Sequence, residues 1–358
     1  MNIPTRIALA GAVIGLLAGL WAGLLKLGFA WPTILPTGAG QHGPLMISGF
    51  LGTLIALERA VALGALTPMR WPYAAPLISG LGALVVLFGW SPELGRGLLV
   101  AAAVALTAVC WRMARLQPEF HTRLLAVAAA SWVVGNLVWL LGGSIRAAAI
   151  WWVGFLVLTV AAERLELGRV LRHSQAIIRL FTGAVLVLGL GMALSLTWLD
   201  GGIRLSGAGL ALIGAWLIRF DIARQTIRAK SVTRYVAASL LVGHVWLLIG
   251  GVLWAALPAS GGGGIYDAVL HSVLLGFIFS MIFGHAPIIL PALSGRAVTL
   301  YTPALYAPLA LLHGALVVRL SGDLLPDLTL RQWGGLLNVI AVLLFAGLAV
   351  SRLLSKRA

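Results

Sequence analysis

Apolar runs of about twenty residues, broken by short polar clusters, recur along the whole chain. They lie at Ile7–Ala30, Gly43–Gly64, Tyr73–Trp90, Leu94–Met113, Leu124–Leu141, Ala147–Ala162, Ala176–Leu199, Leu205–Phe220, Tyr235–Ala256, Asp267–Ile289, Thr302–Leu320 and Trp333–Leu354. A helix of that length spans the ~30 Å hydrocarbon layer of a bilayer. The connections are short, and none is long or polar enough to form a soluble domain. The pattern predicts an all-α polytopic membrane bundle of twelve transmembrane helices, with residues 1–358 as one integral membrane domain. No polar small-residue cleavage site follows the first run, so it reads as a retained helix and not as a signal peptide.

Superposing the second, sixth and tenth runs uncovers a weak repeat: GFLGTLIALERAVALG from Gly49, GFLVLTVAAERLELGR from Gly154 and GFIFSMIFGHAPIILP from Gly276. Glu58, Glu163 and His285 stand at the same distance after each glycine, where helices of one direction end. The four-helix spacing of the copies predicts three pseudo-repeated units, approximately 1–113, 121–222 and 234–354. Glu58 and Glu163 have two readings, a polar cluster shared with His285 or Glu-Arg pairs that snorkel at helix ends.

Composition agrees with the bilayer reading: 61% of residues are hydrophobic and 10% charged. A net charge of +15 raises nucleic acid as a partner, but the basic residues sit in short clusters between apolar runs, which is how membrane topology is fixed, and no nucleic-acid partner is expected. Assigned to alternate sides, 19 Lys and Arg fall with the N-terminus and six (Lys26, Arg96, Arg146, Arg204, Arg319 and Arg331) fall opposite. The asymmetry predicts an even number of spans with both termini cytoplasmic, in a bacterial-type cytoplasmic (inner) membrane. One cysteine, Cys110, excludes internal disulfides, thiolate clusters and covalent haem attachment, so a metal would be held by His, carboxylate or backbone.

Chemistry rests on the histidines, since an imidazole inside a span is costly to desolvate. His121 and His173 fall in basic loops and read as solvated. His42 and His271 lie near the same predicted face, 16 and 14 residues before Glu58 and His285, a depth difference of about 3 Å at ~1.5 Å per residue. Matched depth suits axial ligation of one haem by two histidines; an interfacial His42 and a hydrogen-bonded His271 are the alternative. His271 and His285 project from one face of an ideal helix, ~21 Å apart, which is too far to share a metal. His244, His285 and His313 are candidate metal ligands, members of a proton path, or interhelical hydrogen-bond partners. Trp132, Trp139, Trp151 and Trp152 with Asn136 read as aromatic packing or as the edge of a porphyrin site. A phosphate-binding loop, a hydrolase triad and an HExxH motif are missing from the sequence.

With histidines on the second and tenth helices and a tenth-helix phrase from His271 to Arg296 of the form HxxxLGF…GHxxxxLP…GR, the chain resembles the haem-copper oxidase subunit I superfamily, and within it the NnrS-type haem- and copper-containing membrane proteins of the nitric-oxide response. The specific wording covers about 45 residues and the layout covers the chain. The resemblance implies a low-spin haem, non-covalent and therefore b-type, held by His42 and His271, with copper as an additional metal and a small gas such as nitric oxide as ligand. The copper signatures of the oxidases do not recur: the sixth helix reads WWVGFL from Trp151, and the seventh has no His-His pair. Oxygen reduction and proton pumping are not expected. Two classes follow, a haem-binding protein of nitric-oxide or respiratory redox chemistry, and a non-redox transporter or assembly factor whose polar residues line a proton or metal path.

Overall fold

A computed structural model describes residues 2–32, 38–257, 263–294 and 298–354. Arg296, Lys356 and Arg357 of the basic count, and Gly261 and Gly262, lie outside the described residues. The described residues contain no strand, and twelve helices are long and apolar enough to cross a membrane. These are Ile3–Lys26, Gly38–Leu66, Trp71–Phe88, Pro92–Leu116, Phe120–Leu140, Ile145–Leu171, Gln175–Leu194, Leu199–Phe220, Ser231–Ala256, Gly264–Ala292, Pro303–Leu324 and Leu328–Leu354, called the first to twelfth helices below. The protein is an all-α, multi-pass membrane protein.

Local chemistry sets several helix starts. Asn2 caps the first helix by accepting from the Thr5 amide at 2.9 Å. Ser91 caps the fourth ahead of Pro92, and Ser174 caps the seventh. The fifth helix begins at Phe120, four residues before its apolar run, because Thr122 donates to the carbonyls of Gln117 at 2.6 Å and Glu119 at 2.9 Å and closes its first turn. This corrects the solvated reading of His121, which the early start carries into the packed part with 5% exposure. His173 is not a bare loop histidine either; its ring stands edge-on to Trp216 and Phe220.

Contacts divide the chain into two compact units, Met1–Ala162 and Glu163–Ala358, a division that does not coincide with three four-helix units. In the first unit the first helix packs on the second and third, the third on the fourth and the fourth on the fifth. In the second unit consecutive helices from the seventh to the twelfth pack against one another as antiparallel neighbours.

The second and tenth helices share an irregularity. Residues Leu45–Gly52 and Ser272–Phe279, eight in each, form π-helix, and each stretch contains the Gly-Phe pair. The sixth helix, with its own Gly154-Phe155, remains α-helical there. Wide π turns are rare and occur often at functional sites. The π turns also break the 3.6-residue arithmetic that put His271 and His285 on one face. Because both helices carry an eight-residue π segment, the register of His42 and His271 relative to Gly49 and Gly276 is disturbed equally.

Candidate functional site

His42 follows the first turn of the second helix, three residues ahead of its π segment, in the first unit. Its Nδ1 lies 2.8 Å from the Gly19 carbonyl. A carbonyl only accepts, so Nδ1 carries the proton and Nε2 presents its lone pair. A Cβ at Gly23 would stand 2.9 Å from Nδ1 and Cε1, so glycine at this position is what lets the imidazole lie against the first helix.

His271 immediately precedes the other π segment, in the second unit, and is buried with 8% exposure. Its Nδ1 donates to the Asp267 carbonyl at 2.8 Å and stands 3.4 Å from Asp267 Oδ1. Asp267 Oδ2 accepts from Arg319 at 3.1 Å (Nε) and 2.6 Å (the terminal nitrogen). Arg331 lies 3.6 Å from the same oxygen and 2.9 Å from Asp323 Oδ1, and the Asp323 side chain is fully buried. Two carboxylates and two guanidiniums thus neutralise one another around His271, as charges withdrawn from water must.

The remaining histidines of the second unit differ. His285 is half-buried, and its Nδ1 donates to the Met281 carbonyl at 2.8 Å, one turn back and not to a carbonyl freed by Pro287 or Pro291. His313 has the opposite tautomer: Nδ1 accepts from Trp246 Nε1 at 3.0 Å, so Nε2 carries the proton toward Ser280 Oγ at 3.4 Å, and Ser280 donates on to the Gly276 carbonyl. His313 is therefore an interhelical hydrogen-bond partner, one of its three sequence readings. A Cβ at Gly276 would fall 2.5 Å from Trp246 Cβ, which is why this helix pair needs glycine there. His244 is completely buried beside Phe277, and neither ring nitrogen has a hydrogen-bond partner. Among the described residues no three His, Cys, Asp or Glu side chains gather as a metal set.

The Glu-Arg repeats do not snorkel. Arg59 is 7% exposed and pairs with Glu58 at 2.9 Å. Arg164 is 4% exposed and grips Asp221 with two bonds, Nε to Oδ2 at 2.7 Å and the terminal nitrogen to Oδ1 at 2.9 Å. Asp221 Oδ1 also accepts from the Ala223 amide at 2.7 Å. Burial alone would raise the Asp221 carboxyl, but the Arg164 fork and the Ala223 amide outweigh it and hold it below the usual carboxylate range. Glu58 lies in the first unit, whereas Glu163 and His285 lie in the second, where Glu163 is half-buried.

The aromatic set of the first unit serves packing and polar satisfaction. Trp132 donates to Ser48 Oγ at 3.0 Å, Trp152 donates to Asn136 Oδ1 at 3.0 Å, and Asn136 donates to the Leu99 carbonyl at 3.2 Å. Trp132 stacks on Phe155 and Trp139 stands edge-on to Trp152. Ser79 donates to the Ser48 carbonyl at 3.0 Å, satisfying a backbone group inside the π segment.

Sequence reasoning missed Asp267, Arg319, Asp323 and Arg331, and likewise Arg164 with Asp221. The signal was present as opposite charges at the ends of neighbouring apolar runs, but Arg319 and Arg331 were read only as topology markers.

The family described as Domain of unknown function (DUF8744) matches residues 6–354, and the chain belongs to it. No curated protein matches the chain.

Proposed function

We propose that this member of the DUF8744 family is a haem-binding membrane protein of nitric-oxide or respiratory redox chemistry, with His42 and His271 as the two axial ligands of one b-type haem. One observation carries the reading. His271 stands directly before an eight-residue π segment and His42 stands three residues before another, each with Nδ1–H tied to a backbone carbonyl at 2.8 Å and Nε2 as the basic nitrogen. Metal-bound histidines are oriented in this way by their other nitrogen. When bound, the haem would supply one-electron redox chemistry; a gas such as nitric oxide, the ligand class that the resemblance to NnrS-type proteins supports, would have to displace one of the two histidines. In the same reading Glu58, Glu163 or His285 tunes the iron or relays protons. Copper is not proposed. The test is a pyridine haemochrome assay on protein purified from haem-replete cells. A b-type spectrum is expected, and clean folded protein without a Soret band overturns the reading.

The second reading, a non-redox transporter or assembly factor with a polar path, is favoured by His244. A fully buried imidazole with two unpartnered nitrogens calls for a small polar guest, and water or a travelling proton fits that need.

Orientation is part of the proposal: both termini face the cytoplasm of a bacterial-type inner membrane, on the strength of the 19-to-6 distribution of basic residues. Reporter fusions after Ala30 and after Leu199 are expected to report the opposite, outer side; a cytoplasmic signal from either contradicts the topology.

A further inference from the structure

We infer that Asp267 is a positioning residue for His271: its carbonyl anchors the imidazole and its carboxylate lowers the reduction potential of the iron that His271 would hold, with Arg319 as its counterweight. The inference rests on the haem reading above. Asp267 lies one helical turn before His271, and it touches the imidazole twice, through its carbonyl at 2.8 Å and through Oδ1 at 3.4 Å from the same Nδ1. The other carboxylate oxygen is locked by the Arg319 fork, and the side chains of His271, Asp267 and Arg319 are only 10%, 10% and 9% exposed. Arg319 is itself held, because the eleventh and twelfth helices approach so closely that a Cβ at Gly334 would collide with its backbone.

The two proposed ligands are therefore unequal. His42 leans on a neutral carbonyl, whereas His271 has a carboxylate beside the same N–H. The hydrogen bond goes to the carbonyl, but the negative charge of Oδ1 at 3.4 Å stabilises positive charge on the ring and the iron it would hold, which favours ferric over ferrous iron. Low local dielectric keeps that effect from being screened. Arg319 draws on the other end of the carboxylate and moderates it.

Charge and geometry predict shifts of opposite sign. Asp267→Asn is expected to raise the haem potential, increasing the ferrous-to-ferric ratio at fixed poise about tenfold, the lower end of what such partners contribute at metal sites; for a one-electron couple that is about 59 mV. Arg319→Gln is expected to lower the potential, because Asp267 then faces the imidazole with Arg331 alone, 3.6 Å away. Structural damage without an electrostatic role would not move the two variants in opposite directions. Each single variant leaves a buried charge without its main partner, so the double variant Asp267→Asn with Arg319→Gln removes both charges and remains decisive where a single one fails to fold; its potential is expected to be raised. The measurement is a spectroelectrochemical titration of the haem-loaded proteins in detergent, with the ferric low-spin signal recorded beside it. Potentials of Asp267→Asn and of the double variant equal to wild type, with the low-spin signal intact, overturn this inference alone. Wild-type protein that carries no haem overturns it together with the haem reading.

Discussion

Replacing His42 or His271 with alanine is expected to abolish the low-spin haem spectrum, and the two variants should behave alike. Removing one axial imidazole leaves the iron five-coordinate, so the narrow bands of the low-spin ferrous form disappear even where some haem is retained. His285→Ala is expected to keep that spectrum nearly intact, although His285 has the same anchored Nδ1, because it follows the π segment of the tenth helix whereas His271 precedes it. His313→Ala is likewise expected to keep the haem, since both ring nitrogens already serve Trp246 and Ser280. Optical spectra of the four purified variants check all of this. Haem loss in His244→Ala or His313→Ala with retention in His42→Ala contradicts the ligand assignment while leaving haem binding itself in place.

The second large effect concerns stability. Arg164→Ala strands the Asp221 carboxylate, whose side chain is fully buried, and breaking such a pair from one side costs about 3–5 kcal/mol. Arg164→Met combined with Asp221→Asn is expected to recover most of that loss, because no buried charge remains and the asparagine oxygen still accepts from the Ala223 amide. Acid should reproduce part of the single-variant effect in the wild type. Asp221 is held below its ordinary value of 3.8, so its stabilising contribution is present above that pH and is lost as the pH falls through the native value. Denaturation of the detergent-solubilised protein, followed by tryptophan fluorescence, measures both. A single variant as stable as wild type would show that Arg164 and Asp221 are solvated in the folded protein.

The helices were legible because a bilayer demands long apolar runs and closes every backbone hydrogen bond within the segment. All twelve appeared in the hydropathy pattern with ends that differ by several residues, up to nine at the end of the sixth helix; one such shift comes from Thr122, whose hydroxyl starts the fifth helix early and buries His121. The candidate site was legible only in part. Isolated histidines in apolar runs stand out in a sequence, whereas their partners do not: the Gly19 carbonyl that anchors His42 is a backbone atom on another helix. Asp267, Arg319, Asp323 and Arg331 come from three helices, and only their packing reveals that the charges cancel. The π segments were hidden because Leu45–Gly52 and Ser272–Phe279 are as apolar as the α-helix around them. The Gly-Phe pairs at Gly49 and Gly276 fall inside π segments, whereas the pair at Gly154 falls in regular α-helix.

The central claim is that one haem iron is held between His42 and His271. Near-infrared magnetic circular dichroism of the oxidised protein tests it most directly, because the low-spin ferric charge-transfer band reports the pair of axial ligands. The account predicts a single low-spin haem with a bis-imidazole band that is lost in both His42→Ala and His271→Ala. A high-spin ferric haem in the wild type, or a bis-imidazole band that survives either substitution, would contradict it.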